Sequence, residues 1–321
     1  MPSPLRFSVA ALPELLIGLA LLAGCQPTSD TTTEAASPQW PDAPSPLSDS
    51  VLSPPDTTAN RFEAALETAL SHRDDAGSIG ALMQNVGRHF HGRPYRTGTL
   101  DAPETETLVV RFDGFDCVTF VETALALARS AQASDTTYAG FAGRLAEQRY
   151  RDGGSVGYCG RLHYFTEWIT NNAKRGRVQR LGAALGGRPL RDTLDFMSTH
   201  RSAYDRVATN DSLFACVQDM ETRLQSKQRR NPVRYVPQDS IRAVYDQLRA
   251  GDIVALVSSI DGLDVAHTGL VYAHPDDRPN TFGLLHASLS GGVTVSPDLQ
   301  RYVQTIDHQI GMVVARPQPV Q

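Results

Sequence analysis

Cys117 follows Asp116 in FDGFDCVTFVETALALARS, residues 112–130, where a short loop gives way to an apolar, helix-forming run. A cysteine in the first turn of a helix lies beside unsatisfied backbone N–H groups and the positive end of the helix dipole. That setting favours the thiolate, with pKa values of about 3.5–7.5 for reactive cysteines against about 8.5 for a free one. Asp116 is placed as the N-cap, accepting from the N–H of Val118 or Thr119. A small buried thiol at a helix start is the bland alternative. Two histidines weigh against it.

In DVAHTGLVY and TFGLLHASL the period-two alternation puts His267 and His286 each on one face of a strand, and the turn signal AHPDDRPN, residues 273–280, is centred midway between them. A symmetric hairpin sets the two imidazoles directly opposite, with Cβ atoms about 4.5–5.5 Å apart. One ring then orients the other, which completes a nucleophile, base and orienter set. The same three residues, Cys117, His267 and His286, would also suit a three-ligand zinc site. The remaining histidines have no such pairing and read as surface or core residues.

These groups need a helix and a sheet to hold them. Helical spacing occupies NRFEAALETAL and IGALMQNVGRHF, a Gly/Pro-punctuated loop follows, and TLVVRF is a short strand candidate. In the helix opened by Cys117, the stripe Cys117, Val121, Ala124 and Ala128 is the core-facing side. Residues 138–230 read as mainly helical, with a possible strand near VQRLGAAL. After Gly251 come short alternating runs, DIVALVSS, VAHTGLVYA, TFGLLHASL, GVTVS and IGMVVARP, the pattern of an antiparallel meander. The expected class is α+β, helices first and an antiparallel sheet last.

The first 25 residues end in LAGC after a short apolar stretch, the form of a bacterial secretion signal closing on a lipid-modified cysteine, Cys25. Gln26 is not the aspartate that retains lipoproteins on an inner membrane, so the periplasmic face of an outer membrane is the expected location. Residues 26–59, rich in Pro, Ser, Thr and Asp, read as a disordered tether, and 60–316 as the folded domain. A net charge of −5 and pI near 6.0 offer no basic stripe for nucleic acid. Beyond Cys25 three cysteines remain: either Cys159 and Cys216 pair and Cys117 stays free, or all three are buried thiols.

DCVTF at 116–120, GDIV at 251–254, HTGL at 267–270 and HAS at 286–288, with PY at 94–95, resemble the NlpC-type cell-wall cysteine peptidases and amidases in order and type. Val118 and Thr119 stand where most members have Ser-Gly, and about 150 residues separate Cys117 from His267, a longer interval than usual. Those departures, with PYRTGTLD, FDCVTFVE and RLHYFTEWITNNAKRG, are closer to the N-acetylmuramoyl-L-alanine amidase-like subfamily. The resemblance implies a circularly permuted papain-like fold and peptidoglycan fragments as substrate. It implies cleavage of the amide between the lactyl group of N-acetylmuramic acid and L-Ala, with Tyr95 lining the site. No metal or other cofactor is required. A mostly helical insertion, about residues 138–245, would narrow the cleft and favour soluble muropeptides.

In this scheme Cys117 attacks, His267 moves the proton and His286 holds His267. Asp116 can bind an amine as well as cap the helix, and Arg161 can meet a substrate carboxylate or serve structurally. A γ-D-glutamyl-diamino-acid endopeptidase, a non-catalytic cell-wall binding lipoprotein and a zinc hydrolase are the alternatives.

Overall fold

The computed structural model describes residues 47–320 except Ser155, Asp192 and residues 275–280. The expected signal segment with Cys25, most of the expected tether and the tip of the histidine hairpin lie outside the described residues. Ten helices are described, and none is long and apolar enough to cross a membrane. They are α1 (Asp49–Leu52), α2 (Asp56–Ser71), α3 (Ile79–His89), α4 (Cys117–Gln132), α5 (Tyr138–Arg149), α6 (Phe165–Lys174), α7 (Phe196–Thr199), α8 (Asp205–Ala208), α9 (Asp211–Arg230) and α10 (Leu299–Gln304). The strands are β1 (Val178–Arg180), β2 (Arg188–Pro189), β3 (Arg234–Pro237), β4 (Ile253–Ser258), β5 (Val265–Ala273), β6 (Phe282–Ser288), β7 (Gly292–Ser296) and β8 (Gln309–Pro317). The pairings between these strands are antiparallel, in the order β2-β3-β8-β4-β5-β6-β7, with β1 also on β8. The class is α+β.

The central helix is α4. Its alanines let neighbours close in from every side, so Ala126 and Leu127 are as fully buried as the expected stripe of Val121, Ala124 and Ala128. Within the sheet, β4 is buried on both faces: Ile253, Ala255 and Val257 join the main helical core, while Val254 and Leu256 join a second core with Ile241, Tyr245 and Leu299. That accounts for its continuous apolar run.

Several expectations are corrected. TLVVRF is extended loop rather than strand; it finds no sheet partner, and Arg149 Nη1 donates to the Val109 carbonyl from the side at 2.6 Å. The folded part begins before Asn60, because α2 starts at Asp56 behind Pro55, and Leu47 and Val51 already pack on the core. The 138–245 segment is mostly helical but does not simply sit beside the cleft. Its helix α5 packs against α4, and its strands β1 and β3 extend the sheet along β8. Finally, the histidine hairpin is shifted in register: Leu270 faces Leu285 and Tyr272 faces Gly283, so His267 and His286 are diagonal neighbours, not direct partners.

Candidate active site

Cys117 is the first residue of α4, and the turn before it is built as expected. Asp116 Oδ1 accepts from the Thr119 N–H at 2.7 Å, and Thr119 Oγ1 returns to the Asp116 backbone N–H at 3.0 Å, a capping box. Asp116 Oδ2 accepts from Thr99 Oγ1 at 3.2 Å. The preceding Phe115 forms a parallel bridge with Tyr95, each segment bonding the other through Arg96 N–H and Phe115 N–H. This bridge delivers the Tyr95 hydroxyl to the Cys117 sulfur.

The backbone N–H groups of Thr268, Val118 and Cys117 itself lie beside the sulfur. Thr268 adjoins His267, so the thiol rests against the start of β5. Cys117, Asp116, Arg161 and His267 line one cavity of about 320 Å³.

The register shift does not separate the histidines. Diagonal positions remain within reach of long side chains, and His267 Nε2 lies 2.7 Å from His286 Nδ1, with ring centroids 4.9 Å apart. Gly269 makes this approach possible: a Cβ there would sit 2.9 Å from the His286 Cβ and 2.8 Å from the Leu285 carbonyl. His286 is wholly buried, and its Nε2 meets Ser296 Oγ at 3.0 Å. Tyr302 packs on both imidazoles, at 6.0 and 4.8 Å between centroids. Ligands of one tetrahedral metal at 2.0–2.1 Å would stand about 3.3 Å apart, so the shorter nitrogen pair is one that shares a proton. With Nε2 engaged by His286, Nδ1 is the other nitrogen of the His267 ring.

The expected low thiol pKa is overturned. Burial pushes the Cys117 thiol up to about 12, the Asp116 charge adds to this, and the backbone N–H bonds only partly oppose it. Burial likewise lowers His267 to about 3, with His286 adding, and lowers His286 to about 4. The resting pair is therefore neutral thiol and neutral imidazole. Tyr95 is raised by burial, with Cys117 and the Asp116 charge adding to this, so it remains a phenol able to donate.

Arg161 reaches the cavity, but its guanidinium is met from within: it donates to the Leu100 carbonyl at 2.8 Å, pairs with Asp101 and lies 3.4 Å from Glu106. That is the structural alternative. Cys159 and Cys216 form a disulfide, leaving Cys117 as the free thiol among the described residues. His163 also lines the cavity, held to the Tyr158 carbonyl at 2.8 Å and kept neutral by burial.

Sequence reasoning missed Ser296, Tyr302 and Asp264. The fully buried Asp264 carboxylate accepts from the Thr166 N–H and hydroxyl and from the Val265 N–H, fastening α6 to the strand that carries His267. Only Ser296 left a trace, two residues along β7 from Thr294, the ladder partner of His286.

A family model described as AmiA-like, N-acetylmuramoyl-L-alanine amidase-like, matches residues 85–312. The chain belongs to this family. The amidase-like match spans Tyr95, Cys117, Arg161, His267 and His286 together. Among solved structures the chain is similar to an N-acetylmuramoyl-L-alanine amidase from Bacteroides uniformis, with 31% identity over 74% of this chain and 98% of that one, TM-score 0.68. It is also similar to a candidate xylanase from Bacteroides fragilis, with 34% identity over 72% and 98%, TM-score 0.64. A Legionella pneumophila protein shares the fold, with 19% identity over 82% and 97%, TM-score 0.56. No curated protein matches.

Proposed function

We propose that this amidase-like protein is a cysteine hydrolase that cuts the amide between the lactyl group of N-acetylmuramic acid and L-Ala in muropeptides. The observation that carries the reading is the Cys117 thiol at the start of α4, sharing a cavity with His267, whose far nitrogen is fixed by His286 and Ser296. Such a relay sets the tautomer: His267 Nε2–H donates to His286 Nδ1, and His286 Nε2–H donates to Ser296 Oγ. His267 Nδ1 is then free to accept a proton.

The proton passes from Cys117 to His267 as sulfur attacks the lactyl carbonyl, and His267 returns it to the departing L-Ala nitrogen. The first products are a lactyl thioester on Cys117 and a peptide with a free amine. Water, deprotonated by His267, then releases the lactyl carboxylate and restores the thiol. The Cys117 backbone N–H and the Tyr95 hydroxyl are the donors for the developing oxyanion. A helix-borne cysteine followed by sheet-borne histidines fits a circularly permuted papain-like arrangement.

Polysaccharide cleavage is the weaker reading, because it needs two available carboxyl groups across the sugar bond. Here Glu122 is tied to Arg149 and Trp168, Asp264 to Thr166, Asp116 to Thr99 and Thr119, and Asp101 to Arg161. We further propose that Cys25 carries lipid and holds the domain in the cell envelope, on the periplasmic face of an outer membrane; metabolic palmitate labelling lost on Cys25→Ala tests it.

Product masses decide the bond. Digestion of defined muropeptides is expected to release the intact sugar-lactate and an L-Ala-initiated peptide. A cut after D-Glu would instead assign an endopeptidase, and xylan fragments a glycosidase.

A further inference from the structure

The wall of the cavity facing Cys117 is built on its own core. Tyr158, Tyr164 and Met197, which line the cavity, pack with Leu194, Val207, Val217 and Met220 in a cluster distinct from the two cores on the sheet. The helix α9 runs behind this cluster and grips it twice. Cys216 forms the disulfide with Cys159, in the tight turn Tyr158–Gly160. One and a half turns further along α9, Glu221 Oε1 accepts from the Tyr164 hydroxyl at 2.7 Å and from the N–H groups of Met197 and Ser198 at 3.1 Å each. Glu221 is buried and has no ion-pair partner among the described residues, so these donors are what hold it in place.

We propose that α9 is a brace that sets the width of the cavity, with Cys159, Cys216 and Glu221 as positioning residues for substrate selection. The proposal deepens the hydrolase reading and rests on it for the identity of the substrate, though not for the shape of the cavity. This wall is assembled from three separate segments, the Tyr158–Gly160 turn, Tyr164 and α7, which could spread apart if they were not joined. The two grips fasten all three to one helix and remove that freedom, so that only slender acyl groups reach Cys117.

The test is alkylation of Cys117 in the full chain carrying Cys25→Ala, where Cys117 is the sole thiol while the disulfide is intact. Iodoacetamide and the bulkier fluorescein maleimide are compared as a ratio of rates. The brace predicts that Cys159→Ser/Cys216→Ser, and separately Glu221→Ala, raise the relative maleimide rate by at least about tenfold while the iodoacetamide rate stays within about twofold. Glu221→Gln retains the Oε1 acceptor and is expected to keep the parent ratio. If the double serine variant does not fold, Glu221→Ala carries the test. Folded variants that keep the parent ratio would overturn the proposal. With a cleaved muropeptide the same variants raise KM by about tenfold and spare kcat. A parent that cleaves no muropeptide would remove the hydrolase reading, yet the alkylation ratio would still judge the brace.

Discussion

Cys117 illustrates two local effects of opposite sign. Its position at the start of α4 favours thiolate, which is the part visible in the sequence, whereas burial and the Asp116 charge favour thiol and prevail. Alkylation of Cys117 is accordingly expected to climb with pH throughout the neutral and alkaline range. A plateau established by pH 6, the mark of a resting thiolate, would contradict it. Asp116→Asn removes one of the raising causes, and the alkylation profile of that variant should move to lower pH. An Asp116→Ala change loses the cap as well, at about 1 kcal/mol of stability.

The histidines carry a matching stability signature. Both are held below the ordinary imidazole value, so the unfolded chain binds more protons than the folded one beneath about pH 6.5. Stability is full above that pH and falls as pH drops towards about 4 and then about 3, where His286 and His267 charge in the fold. At 1.36 kcal/mol per unit the loss is at most roughly 3–5 kcal/mol for each histidine. Urea denaturation at pH 7.5 and 4.5 measures it. The difference between the two pH values should shrink in His286→Gln, and an undiminished difference would assign the acid sensitivity elsewhere.

At the scale of elements, the meander after Gly251 and the helix opened by Cys117 were legible because period two and period 3.6 are strong signals. The hairpin register was not: the turn residues centre the loop midway between the histidines, but ladder pairing of Leu270 with Leu285 shifts it. The site survives because Gly269 leaves room for the diagonal approach. Gly269→Ala should therefore lower activity steeply, by about 10²-fold for a displacement near 1 Å, with smaller effects on stability. A fully active alanine variant would show that the imidazole contact is not needed. TLVVRF was misread because apolar alternation alone cannot reveal that its polar partner is a side chain, Arg149, rather than a strand. Arg149 also bonds Glu122 on α4, at 2.7 Å with both side chains buried. Arg149→Met leaves that carboxylate unpaired and is expected to cost about 3–5 kcal/mol in urea denaturation. A loss under 1 kcal/mol would mean that the pair is not a structural tie.

For the whole molecule, two of the three cores, the main helical one and the one on α9, meet around one cavity, and the latter exists only because distant residues converge on α9. Nothing local in the sequence distinguishes Cys159 and Cys216 from buried thiols; their pairing is a product of that convergence. The bridge closes a loop with a sequence separation of 57 residues. Chain-entropy arguments give about 4 kcal/mol for a loop of this size. Thermal unfolding with and without reductant should show a clear drop in Tm, and an unchanged Tm would remove the bridge from the stability account.

In the proposed mechanism Cys117 forms the covalent bond to substrate. Rapid acid quenching during turnover of a defined muropeptide, followed by peptide mapping by mass spectrometry, tests it most directly. The expected result is the sugar-lactyl mass on the peptide containing Cys117, and neither adduct nor product with Cys117→Ala. Product formation that persists in Cys117→Ala would contradict it.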